Sequence, residues 1–185
     1  MKSKNSLQKK NNRFSVKTLC AAALLAAMAV VLSLVCKSLT ITMSIRLTFE
    51  NLPIILSGYL FGPFAGILTG LCTDLVSTSV TYGIGGINPI LTVGAASVGF
   101  ISGIISHYIL TKKSALQLIV CVFASHIIAN MGIKTLGLFI YYHTPPVEIF
   151  TRILLYLGIA TIESVLLVII LKSKGINKAI GALKQ

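Results

Sequence analysis

Five apolar stretches, at residues 16–35, 45–80, 88–110, 116–142 and 149–171, take up most of this chain. Coiled as helices at about 1.5 Å per residue, most of them reach across a hydrocarbon layer of about 30 Å. The remaining chain cannot offset them with a polar coat. Charged residues make up 11% of the sequence, against roughly 25% in a soluble domain. The solvent for most of the chain is therefore lipid, and its backbone polar groups must be satisfied within helices. The first stretch follows a basic head, and Ala27-Met28-Ala29 imitates a cleavage site. It runs on to Val35, however, beyond the roughly 7–15 residues of a signal core, and is expected to be the first membrane helix.

The second stretch is too long for one span. Thirty-six residues in one helix would extend roughly 54 Å. Gly62-Pro63 near its middle is a strong break signal, which predicts two helices joined by a tight turn and six spans in all. Charge placement supports this count. With the N-terminus inside, six spans put twelve of the sixteen Lys and Arg on the cytoplasmic side, including the Lys112-Lys113 turn, as the positive-inside rule requires. Five spans would place that turn outside. The expected architecture is an all-α membrane protein, one bundle of six transmembrane helices with both termini cytoplasmic. Residues 1–15 form a basic cytoplasmic segment, 16–172 the membrane domain and 173–185 a basic tail.

The formal net charge of +12 follows from the same asymmetry, so no nucleic-acid partner is implied. Cys20, Cys36, Cys72 and Cys121 stand singly in apolar surroundings and read as small buried hydrophobes. There is no G-x-x-x-x-G-K-[ST] loop for ATP, no H-E-x-x-H and no Ser-His-acid arrangement. No catalytic residue, metal or cofactor is expected. Two outer connections are elaborate: residues 36–49 contain an alternating strand-like or capping stretch at 39–45, and residues 81–87 contain Gly83, Gly85 and Gly86, a mobile loop suited to close over a site.

Polar residues inside spans are costly and mark candidate sites. His126, Asn130 and Lys134 repeat at four and form one stripe of the fifth helix. Arg152, Tyr156 and Glu163 share a face of the sixth. In the third helix Gly66, Gly70 and Asp74 repeat at four, and in the fourth Asn88, Thr92, Gly99 and Gly103 lie near one face after the Asn88-Pro89 break. Each has an alternative use. Small residues at this spacing pack helices, and Asp74 either faces a ligand or pairs with Lys134 or another buried base. His126 serves either as a ligand contact or as a hydrogen-bonded core residue. Glu163, deep in its span, is assigned to structure.

The string Arg46-Leu47-Thr48-Phe49-Glu50-Asn51-Leu52-Pro53-Ile54, continuing to Leu60-Phe61-Gly62-Pro63 and then Gly66, Gly70 and Asp74, resembles the substrate-binding S components of energy-coupling factor (ECF) vitamin importers, particularly the folate family. Gly86-Ile87-Asn88-Pro89-Ile90 and the alanine-rich first helix are similar to the same group. The resemblance implies six helices and a vitamin held at the outer face. It also implies a partnership with a shared transmembrane coupling subunit and two ATPase subunits in the bacterial plasma membrane. In this group an A-x-x-x-A face docks the coupling subunit, which points to Ala23 and Ala27; their alternative use is packing within the bundle. For folate, Arg46, Lys134 and Arg152 suit the carboxylates of the glutamate tail. Phe49, Tyr82, Tyr141 and Tyr156 suit stacking on planar rings, and Asn88 or Asp74 suits the pterin edge. Another vitamin or a queuosine-type precursor is the alternative substrate, and a small membrane enzyme acting on a lipid is the alternative class.

Overall fold

The computed structural model describes residues 16–38, 48–110, 114–142 and 145–173. The basic N-terminal segment, the stretch at 39–45 with Arg46, the Lys112-Lys113 turn and the tail from 174 onward lie outside the described residues. The elements are α1 (Val16–Ser38), α2 (Asn51–Phe61), α3 (Pro63–Tyr82), a short 3₁₀ turn (Ile84–Gly86) and α4 (Pro89–Ile104), which runs on as a π-helical turn (Ile105–Ile109). α5 is composite, built of Ala115–Ser125, a π-helical stretch His126–Lys134 and Thr135–Tyr142. α6 covers Pro146–Lys172. Among the described residues there is no strand.

The break after Phe61 falls where the sequence places it. Gly62 takes φ 97°, a left-handed value that suits glycine, and donates its N–H to the Gly58 carbonyl at 3.0 Å. Pro63 then opens α3, where its missing N–H costs nothing. Pro89 and Pro146 open α4 and α6 in the same way. Among the described residues, five of the six helices are long and apolar enough to cross a membrane. α2 is the exception. Its 11 residues extend only about 16 Å, so the expectation of six full spans is modified to five plus a short, deeply buried sixth helix.

Glycine sets the packing around α2. A Cβ on Gly66 would strike the Gly99 backbone, and one on Gly99 would strike Gly66 in return. Gly70 meets Ala95, Gly103 meets Pro63, and Gly58 meets Gly99 and Ser102. The small residues of α3 and α4 thus bring two backbones together, the packing use weighed above. Ile54, Ile55, Val98, Cys121, Val122, Ala129, Ala160 and Leu167 fill the centre. Large apolar side chains such as Leu24, Phe64, Val93, Ile128 and Leu154 are exposed around the perimeter, where lipid rather than water is their favourable contact. Cys36 and Cys121 are buried as expected. Cys20 and Cys72 are exposed on this perimeter instead, where a small apolar residue meets no penalty.

Candidate functional site

The end of the bundle where α1 and α3 finish and α2, α4 and α6 begin concentrates the polar side chains. α1 turns Ser33 and Lys37 inward. Ser33 Oγ donates to Glu50 Oε2, just ahead of α2. Glu50 Oε1 lies 3.7 Å from Lys134 Nζ, which arrives from α5. The Lys134 stem passes over Gly94 of α4, where a Cβ would obstruct it. One serine, one carboxylate and one ammonium therefore tie α1, α2, α4 and α5 together.

Deeper between α5 and α6, His126 Nε2 lies 2.7 Å from Glu163 Oε2, and His126 Nδ1 lies 3.0 Å from Asn130 Nδ2. The Tyr156 ring is tilted against the His126 ring at 5.9 Å between centroids. Arg152 donates to the Tyr156 hydroxyl at 3.1 Å while its guanidinium lies 5.0 Å from the centre of that ring. His126, Asn130, Lys134, Arg152, Tyr156 and Glu163 are all buried. The stripe expected on α5 holds even though His126–Lys134 is π-helical. Such wider turns recur at functional sites, and here Thr135 Oγ1 donates to the Asn130 carbonyl at 2.9 Å. Glu163, which sequence reasoning assigned to structure, is joined directly to the stripe.

A second group lies along the seam of α3 and α4. Asp74 is half-buried and accepts from Thr92 Oγ1 at 2.7 Å rather than pairing with Lys134. Asn88 Oδ1 accepts from the Ile90 N–H at 3.0 Å, so this side chain caps α4. Pro89 is exposed beside it. At the rim, Lys37 Nζ donates to Ser77 Oγ at 2.9 Å and Thr78 Oγ1 at 3.2 Å, and lies 5.7 Å from the centre of the Tyr82 ring. Tyr82 is exposed, and Gly83 follows it at φ 75° to start the 3₁₀ turn. Phe49 is half-buried, and Tyr141 is exposed. The structure therefore gathers His126, Asn130, Arg152 and Tyr156 with Glu163 into one interior network, and Lys134 with Glu50 and Ser33 into another. It leaves Asp74, Asn88 and Pro89 on a seam and Tyr82 at the rim.

Sequence reasoning gave no site role to Ser33, Lys37, Thr48, Glu50 and Asn51. Asn51 is 1% exposed. Among the described residues neither of its amide atoms has a hydrogen-bond partner, nor do Thr48 Oγ1, Asn130 Oδ1 and Glu163 Oε1. Native structures pair nearly all such atoms, so each exception calls for a reason. Also among the described residues, no three His, Cys, Asp or Glu side chains meet in a way that could hold a metal ion. Ala23 and Ala27 are both exposed on α1, whose Ala22, Ala29, Ser33 and Cys36 face the bundle.

A lipid-facing perimeter around a core that holds buried hydroxyls, amides and charges defines a membrane-embedded helical bundle. The chain matches the family described as ECF transporter, substrate-specific component, over residues 17–182, and it belongs to that family. This is a family of transporter substrate-binding subunits rather than of enzymes. A search of curated proteins found no match for the chain.

Proposed function

We propose that this protein is the vitamin-binding subunit of an ATP-driven importer in the bacterial plasma membrane, that its substrate is folate, and that the site lies at the Asn51 end of the bundle facing outward. The observation that carries the binding role is that Thr48, Asn51 and Asn130 each bury a polar atom that has no partner among the described residues. A buried donor or acceptor without a partner costs about 1–3 kcal/mol, and a bound polar molecule removes that cost. Lys134, and Arg152 beyond it, supply positive charge for an acidic tail, while the amides of Asn51 and Asn130 suit a heterocycle edge. Gly83 and the turn after it supply the backbone freedom for Tyr82 and its loop to close over the occupied site. Membership of the ECF transporter family supports energy coming from partner ATPase subunits through a shared transmembrane subunit.

The test is to purify the protein from cells grown in rich medium, denature it and identify the released small molecules by mass spectrometry and absorbance. A pterin-bearing compound is expected, and ligand-free protein titrated with folate should bind it in a calorimeter. Hydrogen exchange across residues 82–86 should slow once folate is bound. Release of another vitamin or a queuosine-type precursor would overturn the folate assignment and leave the binding role intact. Turnover of a lipid by the isolated chain would overturn both.

A further inference from the structure

The buried chain of contacts from Glu163 through His126 to Asn130 has a direction. With Glu163 as a carboxylate, which can only accept, Oε2 at 2.7 Å takes the N–H of a His126 protonated at Nε2. A neutral imidazole with its proton there leaves Nδ1 as an acceptor. Asn130 Nδ2 stands 3.0 Å from Nδ1 and donates to it. The amide is thereby turned so that Oδ1 points away from the histidine, fully buried and without a partner among the described residues. The Asn130 backbone is held as well, since its carbonyl accepts from Thr135 Oγ1. The other groups around this chain are Tyr156 and Arg152 from α6, with Glu50 and Lys134 within Coulombic reach of Glu163.

We infer that Glu163 and His126 are positioning residues that fix the polarity of Asn130, and that Asn130 Oδ1 is a specificity-determining acceptor for an N–H of the bound molecule. The inference rests on the binding site proposed above. It names what the deep part of that site selects: a nitrogen heterocycle or amide that presents a hydrogen-bond donor, not one that presents only acceptors. A carbonyl or ether oxygen at that position would face Oδ1 lone pair to lone pair. With the imidazole neutral, the arrangement does not adjust by rotating the Asn130 amide, because that rotation would place Oδ1 against the Nδ1 lone pair.

Two measurements on the full chain in detergent test this. The first needs no ligand: nitrogen NMR of ¹⁵N-histidine-labelled protein, with the His126 signals assigned by their loss in His126→Gln. A protonated Nε2 and a bare Nδ1 are expected, and a protonated Nδ1 would overturn the relay. The second is calorimetric titration with folate, whose pterin ring carries N–H donors. Asn130→Leu should weaken folate binding at least tenfold, His126→Phe should weaken it similarly, and the double variant should be little worse than either. Loss of thermal stability with unchanged folate affinity in Asn130→Leu would show a structural role only and sink the inference. If wild type does not bind folate, the folate assignment falls. The same variants are then titrated with riboflavin, thiamine and biotin, each of which carries N–H donors, and a tenfold loss is expected for the one that binds. Binding of none of the four would overturn the inference together with the substrate assignment.

Discussion

Lys134 Nζ and Glu50 Oε1, 3.7 Å apart and both largely shielded from solvent, bridge two helices that share no nearby sequence. Removing one member of a buried ion pair takes a favourable charge from beside the other, at up to about 3–5 kcal/mol, whereas replacing both with apolar or neutral groups of similar volume is often near neutral. Lys134→Met is therefore expected to destabilise the protein strongly, and Lys134→Met with Glu50→Gln to recover much of the loss. Denaturant unfolding in detergent across this double-mutant cycle measures the coupling. Folate affinity separates the two uses of Lys134. If it contacts the acidic tail, the double variant binds folate ten- to a hundredfold more weakly, roughly the worth of one charge-assisted contact, and binds a neutral pterin normally. Equal affinity for both, unchanged from wild type, would confine Lys134 to its pairing with Glu50.

The close approach of Gly66 and Gly99 leads to a second expectation. A Cβ at Gly99 would run into the Gly66 backbone, and backbone cannot yield as a flexible side chain does. Gly99→Ala should cost about 1–3 kcal/mol as overpacking. Gly158 on α6 has nothing within 4 Å of the position its Cβ would take, so Gly158→Ala should leave stability unchanged. Thermal unfolding of the two variants beside wild type decides the matter. Equal tolerance at both positions would mean that α3 and α4 are not held at contact distance.

How far the sequence could carry these conclusions depends on the range of the interactions. The helices were legible because an apolar run and a Gly62-Pro63 break are local signals that lipid and backbone geometry read directly. The stripe of His126, Asn130 and Lys134 was legible for a similar reason, since a spacing of four keeps one face even where the turns widen to π. The exposed setting of Ala23 and Ala27 was not legible, because an alanine-rich helix offers small residues on every side and only its neighbours choose the inward one. The contacts of Glu50 with Ser33 and Lys134 were missed because those residues lie on other elements and no motif links them. The possible pairing of Asp74 with Lys134 failed for the complementary reason: Asp74 lies beside Thr92 on the adjacent α4, and that hydroxyl supplies its hydrogen bond. Asn88 shows that a helix-start signal and a ligand-contact signal look alike in sequence, since here the side chain is used as the cap.

Asn51 separates fold from function in a single substitution. Both of its amide atoms are buried without a partner among the described residues, so Asn51→Leu, similar in size, removes two desolvated groups and breaks no described hydrogen bond. Stability in the ligand-free protein should be unchanged or higher, because replacing an unsatisfied buried polar group by an apolar one is near neutral or favourable. Folate binding should nevertheless fall at least tenfold if the amide meets the heterocycle. Calorimetry and thermal unfolding of the same preparation give both numbers. A variant that loses stability and keeps its affinity would place Asn51 in the fold rather than in the site.

The last expectation concerns docking by α1. Ala23 and Ala27 are four apart and share a face, and both are exposed while Ala22 and Ala29 on the same helix are buried against the bundle. Their small side chains are thus not spent on packing within this chain, and they leave a flat strip on which another helix backbone can come close. Replacing both by tryptophan fills that strip without touching the core. Folding and folate binding by the isolated protein should survive, because the polar network that begins at Ser33 and Glu50 lies toward the other end of the helix. Uptake into cells, and co-purification with the transmembrane coupling subunit and the ATPase subunits, should be lost. A double variant that binds folate normally and still supports full uptake would remove this face from the docking surface. One that fails to fold or to bind would show that the strip supports the bundle itself, contrary to its exposure.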